Sequence, residues 1–257
     1  MRYNLAAGRF DSPRTTSCRV TADRFFRGGK VERIALFDVD GTLVDGHVWR
    51  AILSHPEVSR WRVRWLYART IPAQLARKAG WLDETSFRDG WVRGLAGLLR
   101  GQSRDWVRRL AEWTADEFLA SMYRQDVIGV LKEHKRQGDS VVLVSTMFTD
   151  VLEAISRRLD ADAWLGTALS FTSDGTANGR LDSKSCVGPH KLDFVRDYLS
   201  AHRKGSGLEA CVAYADSGSD LPLLAAVGEA VAVYPDSALR QEALARGWRL
   251  LPADETR

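Results

Sequence analysis

Four apolar residues, Ile34-Ala35-Leu36-Phe37, run straight into an acidic turn, Asp38-Val39-Asp40-Gly41-Thr42, and this junction limits what the chain can fold into more than any other stretch. So short and unbroken an apolar run reads as a strand covered on both faces, which is the situation of strands in parallel sheets. The same junction recurs. The run 141–144 stops at Ser145-Thr146, the run 211–215 stops at Asp216-Ser217-Gly218-Ser219-Asp220, and 230–233 is a fourth strand. Helical spacing precedes the second run (126–137) and follows it (150–159). Strands alternating with helices predict an α/β fold, a three-layer Rossmann-like parallel sheet with helices on both faces. Ligands of such sheets sit beyond the carboxyl ends of the strands, where Asp38, Ser145 and Asp216 all fall.

With 257 residues the chain can bury one large core and carry a smaller accessory unit. Residues 1–30 are polar, without periodic apolar spacing, and are expected to be an extension that is loose or docked on the surface. Residues 46–121 have a different texture, rich in Trp, Arg, Leu and Ala at helical spacing, with breaks at Gly80 and at Gly101-Gln102-Ser103. They predict a helical cap inserted into a core made of 31–45 and 122–257. Alternation across 169–181 around Asp174-Gly175 predicts a hairpin.

Hydrophobic residues at 45% and charged residues at 27% exclude a disordered or fibrous chain. Cys18, Cys186 and Cys211 are odd in number and scattered, which fits a reducing cytoplasm and no zinc or redox pair. The N-terminus lacks an apolar segment of signal-peptide length, and no run reaches the roughly 18 residues a membrane span needs. The net charge is only +4, yet twelve cations, all arginines except Lys78, lie between Arg60 and Arg109. They form either an anion-attracting field or a solvated helical surface.

Two aspartates two apart at a strand end combine a carboxylate that can attack with one that can move protons. Asp38 would attack phosphorus, while Asp40 protonates the leaving oxygen and then deprotonates the water that cleaves the acyl phosphate. Ser145 offers a hydroxyl and nearby N–H groups to phosphate oxygens. Lys191 adds a positive charge against the transferring group. Asp216 and Asp220 suit a hard cation such as magnesium. Without one, four converging carboxylates would repel each other.

Taken in order, FDVDGTLVD at 37–45, VVLVST at 141–146, GPHK at 188–191 and YADSGSDLPLL at 214–224 resemble the haloacid dehalogenase superfamily, in its phosphoserine-phosphatase-like subfamily IB. The resemblance covers about 31–250. It implies that family's fold with a C1-type helical cap, and a magnesium-dependent phosphatase working through an aspartyl-phosphate. Asp38 would be the nucleophile and Asp40 the acid and base. Mg2+ would be held by the Asp38 carboxylate, the Asp40 backbone carbonyl and Asp216, and the phosphate by Ser145, Thr146 and Lys191. Asp220 and Thr42 would support them. Two departures stand out: Ala215 where many members have glycine, and Thr146-Met147-Phe148, bulkier than the small residues common after the serine.

The expected substrate is a small phosphate monoester, phosphoserine-like or an amino-alcohol phosphate. A lysophospholipid or phospholipid headgroup, or a phosphotransfer reaction through the same intermediate, are the alternatives. A binding module would have lost Asp38 or Asp40, a dehalogenase would not need Asp40, and a P-type pump would need membrane spans. The basic residues carry no recognised nucleic-acid motif. In the helical segment, Trp49, Trp61, Trp65, Trp81, Trp91, Trp106 and Trp113 are expected to be packing residues. The sharper reading concerns Trp61-Arg62-Val63-Arg64-Trp65-Leu66, which mixes aromatic and basic residues as interfacial helices do and would give a peripheral membrane contact. His47 could face the substrate or merely pack. Glu84 and Arg88, one helical turn apart, could grip an amino or carboxylate group, although an i,i+4 surface pair is the commoner explanation.

Overall fold

The computed structural model describes residues 18–20, 33–202 and 207–252. A seven-stranded sheet is ordered β1-β4-β3-β2-β7-β8-β9. The strands are β1 (Cys18–Val20), β2 (Ile34–Phe37), β3 (Ser140–Phe148), β4 (Ala163–Thr167), β7 (Cys211–Ala215), β8 (Glu229–Val233) and β9 (Arg249–Leu251). All neighbours are parallel except β1, which pairs antiparallel with β4. The six-strand parallel sheet is the three-layer α/β architecture expected. Its order reverses about β2: the chain first steps outward to β3 and β4, then crosses to β7 on the other side, leaving a crevice at the carboxyl ends of β2, β3 and β7.

Alternate residues of each strand face opposite layers. Ala35, Phe37, Val141, Leu143, Val212 and Tyr214 point to the side covered by α5 (Gln125–Gln137) and α6 (Thr149–Leu159). Ile34, Leu36, Val142, Val144 and Ala213 point to α7 (His190–His202), α8 (Leu221–Leu224) and α9 (Ser237–Arg246). Helix ends follow local chemistry. Asp236 caps α9 by accepting the Leu239 N–H at 2.8 Å, and Gly138 ends α5 at a φ of 84°.

Between β2 and α5 lie α1 (Trp49–Ser54), α2 (Arg60–Lys78), α3 (Glu84–Leu98), α4 (Arg104–Trp113) and a π-helical turn, Thr114–Phe118. Asp83 and Ser103 cap α3 and α4 through the N–H groups of Ser86 and Trp106. Val92, Leu95, Val107 and Leu110 share one hydrophobic core with Val151, Leu152 and Ile155 of α6. The hairpin β5 (Leu169–Phe171) and β6 (Ala177–Leu181) clasps the α3–α4 loop: the Gly101 N–H donates to the Ala177 carbonyl at 2.9 Å and the Ala177 N–H to the Gln102 carbonyl at 2.8 Å. The Arg104 guanidinium lies 3.9 Å from the centre of the Phe171 ring.

Three expectations change. Most of the extension 1–30 lies outside the described residues, but Cys18–Val20 is an edge strand of the sheet; three residues are too few to show a period. The strand expected to stop at 144 continues to Phe148, because a register shift against β4 carries it past the polar pair Ser145-Thr146 to buried Met147 and Phe148. Of the tryptophans, Trp106 is buried, with its indole N–H on Glu57 at 2.7 Å. Trp61, Trp65 and Trp81 are 66%, 51% and 86% exposed.

Candidate active site

The crevice is lined by residues from three strand ends and one helix start. β2 delivers Asp38, whose N–H still follows the ladder to the Tyr214 carbonyl at 2.9 Å. β7 delivers Asp216, the short helical turn after it delivers Asp220, and the first turn of α7 delivers Lys191. The ammonium of Lys191 lies 2.8 Å from an oxygen of Asp38 and 2.8 Å from one of Asp220. All three side chains are buried. Asp38, Asp216 and Asp220 each present one oxygen within 4.8 Å of the others.

Gly41 makes this closeness possible. Its φ is +79°, and a Cβ there would stand 2.0 Å from an Asp216 carboxylate oxygen. No other residue satisfies both the left-handed turn and the approach.

Asp40 points elsewhere. One of its oxygens accepts the Val48 N–H at 2.5 Å and the other the Ser145 hydroxyl at 3.4 Å, so these groups hold it, although its charge still reaches Asp38. Ser145 is fully buried and also accepts the Met147 N–H at 3.2 Å. The structure does not bring the Thr146 hydroxyl to the carboxylates; it donates to the Cys186 carbonyl at 3.1 Å. The Thr42 hydroxyl is buried beneath the turn and, among the described residues, has no hydrogen-bond partner.

Burial raises the carboxyls of Asp38, Asp40 and Asp220 above the ordinary range, with Lys191 opposing the rise at Asp38 and Asp220 and the Val48 N–H opposing it at Asp40. Asp216 is pushed up to about 8, by burial first and then by the charges of Asp38 and Asp220. Burial alone would discharge Lys191; the charges of Asp220 and Asp38 outweigh it and hold the ammonium charged. One lysine thus stands against a cluster of four carboxylates. The three-oxygen face of that cluster fits a hard divalent cation, and no thiolate or imidazole is among its donors.

Two further residues of the helical segment lie near enough to feel the charge of the cluster. Arg88 of α3 is partly buried and paired through its Nε to Glu84 at 2.8 Å; burial opposes its charge, but Glu84 and then Asp220 and Asp38 outweigh it. His47 is stacked on Trp49, and burial followed by Arg50 and Arg88 lowers its pKa. Glu84 also accepts Arg77 at 2.7 Å, so its carboxylate is held between two guanidiniums. Ser185, in the loop before Lys191, donates to Asp89 of α3. The sequence marked Arg88 through its acidic partner one turn earlier, and the structure keeps that i,i+4 pair.

The sequence profile of haloacid dehalogenase-like hydrolases matches residues 35–225. The chain is 34% identical over 183 residues to an inhibition of morphological differentiation protein of Streptomyces azureus, covering 71% of this chain and 65% of that one. It is also 34% identical over 221 residues to phosphoserine phosphatase SerB1 of Mycobacterium tuberculosis, covering 84% and 69%. The chain thus spans about two thirds of the length of these relatives. A Bordetella pertussis protein of unknown function superposes with a TM-score of 0.70 at 25% identity, covering 86% of this chain and 98% of that one. The chain belongs to the haloacid dehalogenase-like hydrolase family. Among the described residues no helix is long and apolar enough to cross a membrane.

An acid whose pKa is raised on folding adds stability that is full below its unfolded value and is lost as pH rises through the folded one. For Asp216 that interval runs from the ordinary carboxyl value of 3.8 to about 8. A cation binds the ionised form, so the stabilisation it gives must grow over the same interval. Melting at about pH 6 and about pH 8, with and without Mg2+, should show the larger Mg2+-dependent rise in Tm at the higher pH, and Asp216→Asn should remove most of the difference. Equal increments at both pH values would contradict this.

Proposed function

We propose that this phosphoric monoester hydrolase cleaves a small phosphorylated metabolite, with Mg2+ as its cation and Asp38 as the group that carries the phosphoryl between two half-reactions. The observation that carries the reading is the buried contact of Lys191 with both Asp38 and Asp220 at 2.8 Å. It holds the attacking carboxylate in one orientation and places a positive charge where phosphate charge must be met. Bound between Asp38, Asp216 and Asp220, Mg2+ would neutralise phosphate and carboxylate charge.

An Asp38 oxygen attacks phosphorus, the bond to the ester oxygen breaks, and Asp40 supplies the proton that oxygen needs. Asp40 suits this role because burial keeps its carboxyl raised and no cation touches it, whereas Asp38 has the Lys191 ammonium against it. With the ester product gone, Asp40 takes a proton from water, the water oxygen attacks phosphorus, and the Asp38 carboxylate is released with phosphate. Ser145 offers its hydroxyl to a phosphate oxygen. Thr146 keeps its hydroxyl on Cys186 and is left with its backbone N–H. The helices of 46–121 act as the cap that excludes bulk water.

Glu84 is spoken for by two arginines, so an ammonium group gains little there. Arg88 keeps positive charge facing the site. The preferred substrates therefore carry an anionic group beside the phosphate, as phosphoserine does, and phosphoserine-like chemistry is favoured over amino-alcohol phosphates lacking a carboxylate.

Phosphate release from an aryl phosphate should require Mg2+. Asp38→Asn should abolish it, and Lys191→Ala should slow it on the order of 10²-fold or more with the fold intact. Near wild-type turnover in Asp38→Asn would contradict the reading. Across a panel pairing phosphoserine with phosphoethanolamine, Arg88→Ala should raise KM about tenfold for the first and little for the second; an equal effect on both would remove Arg88 from substrate recognition.

A further inference from the structure

Helix α2 turns its apolar side outward. Of its 19 residues only Leu66 is buried. The side with Val63, Leu66, Thr70, Ala73 and Arg77 lies against the protein, and Gly94 of α3 lets Leu66 in: a Cβ there would meet Leu66 at 2.4 Å. The opposite side carries Trp61, Trp65, Ala68, Pro72 and Leu75 at i, i+4, i+7, i+11 and i+14, all exposed, with Ile71 beside them. Among the described residues eight large apolar side chains are exposed, and six of them lie between Trp61 and Trp81. So concentrated an apolar surface marks a contact site.

The charge on this helix selects the occupant. Residues 60–79 contain Arg60, Arg62, Arg64, Arg69, Arg77 and Lys78 and no acidic residue. On a helical projection Arg60 and Lys78 flank the apolar stripe on one side and Arg62 and Arg69 on the other. Among the described residues Arg60, Arg64, Arg69 and Lys78 have no carboxylate partner. A second copy of the chain would set the five cations other than Arg77, which Glu84 pairs, against five like charges. A nucleic acid would meet the arginines and leave Ile71 and Leu75 in water. An anionic lipid surface meets both: the apolar stripe enters the acyl boundary, the tryptophans sit at headgroup depth, and the flanking cations reach the phosphates.

We propose that α2, with Trp81 just beyond it, is a membrane-surface anchor that lays this chain on anionic lipid. The anchor is independent of the chemistry assigned to Asp38, since none of its stripe residues belongs to the carboxylate cluster.

The test is flotation of the full chain with phosphatidylcholine vesicles and with vesicles in which about 30% of the lipid is phosphatidylglycerol. The protein should float with the anionic vesicles, not with the neutral ones, and should dissociate as salt is raised. The triple variant Trp61→Ser, Trp65→Ser, Leu75→Ser and the double variant Arg60→Glu, Arg69→Glu should each lose binding about tenfold or more. Both should keep their melting temperature and aryl phosphate turnover, which separates loss of the anchor from loss of the fold or of the active site. Three results would overturn the proposal: no flotation with anionic vesicles, equal flotation with neutral ones, or undiminished flotation of both variants. A dimer that forms without lipid and is lost in the tryptophan variant would assign the face to a second copy instead.

Discussion

A lysine ammonium held between two buried carboxylates is the interaction on which the rest of the site depends. Each of the three charges would be costly in a dry interior alone. Together, Asp38, Lys191 and Asp220 sit at 2.8 Å contacts, and the lysine stays charged because the carboxylates outweigh its desolvation. One lysine cannot balance Asp38, Asp40, Asp216 and Asp220. The excess negative charge is the physical reason the site fits a divalent cation, and it separates the chemistry of the two aspartates of the first loop. In the proposed mechanism the one touching the lysine is the nucleophile, and the one bonded to Val48 and Ser145 is the proton carrier.

The sheet supplies the convergence. Asp38, Ser145 and Asp216 come from three adjacent parallel strands whose order reverses at β2, so residues more than a hundred positions apart meet at one end without any long loop. Gly41 then removes the side chain that would keep Asp216 away. The helical segment packs into the same core as α6 and is clasped by the β5–β6 hairpin. Ser185, in the loop before Lys191, donates to Asp89 of α3 and ties the helical segment to the site.

Much of this was legible in the sequence, for a local reason. Each of Asp38, Asp40, Ser145 and Asp216 follows an apolar run that can only be a strand, and order along the chain settles which ends come together. Lys191 was legible through its Gly-Pro turn. The Thr146 hydroxyl was not, because its partner is a backbone carbonyl forty residues away, which only the tertiary fold brings near. Arg88 was legible only as one half of a pair with Glu84 one turn earlier, which a surface ion pair explains equally well; its place near the carboxylates comes from tertiary packing. Trp61 and Trp65 were read both ways, since a helical repeat of tryptophans looks the same whether it faces a core or a surface, and only their exposure in the structure removes the core reading.

The central claim, that the phosphoryl group passes through Asp38 with Asp40 moving the protons, is tested most directly by trapping the phosphoenzyme. Asp40→Asn removes the base that frees the enzyme but leaves an aryl phosphate, a good leaving group, able to phosphorylate it. Rapid acid quench of that variant with radiolabelled aryl phosphate, followed by peptide mapping, should find label on the peptide carrying Asp38, bound as an acyl phosphate that hydroxylamine removes. Label on any other residue, or turnover in Asp40→Asn without trapped phosphoenzyme, would contradict the account.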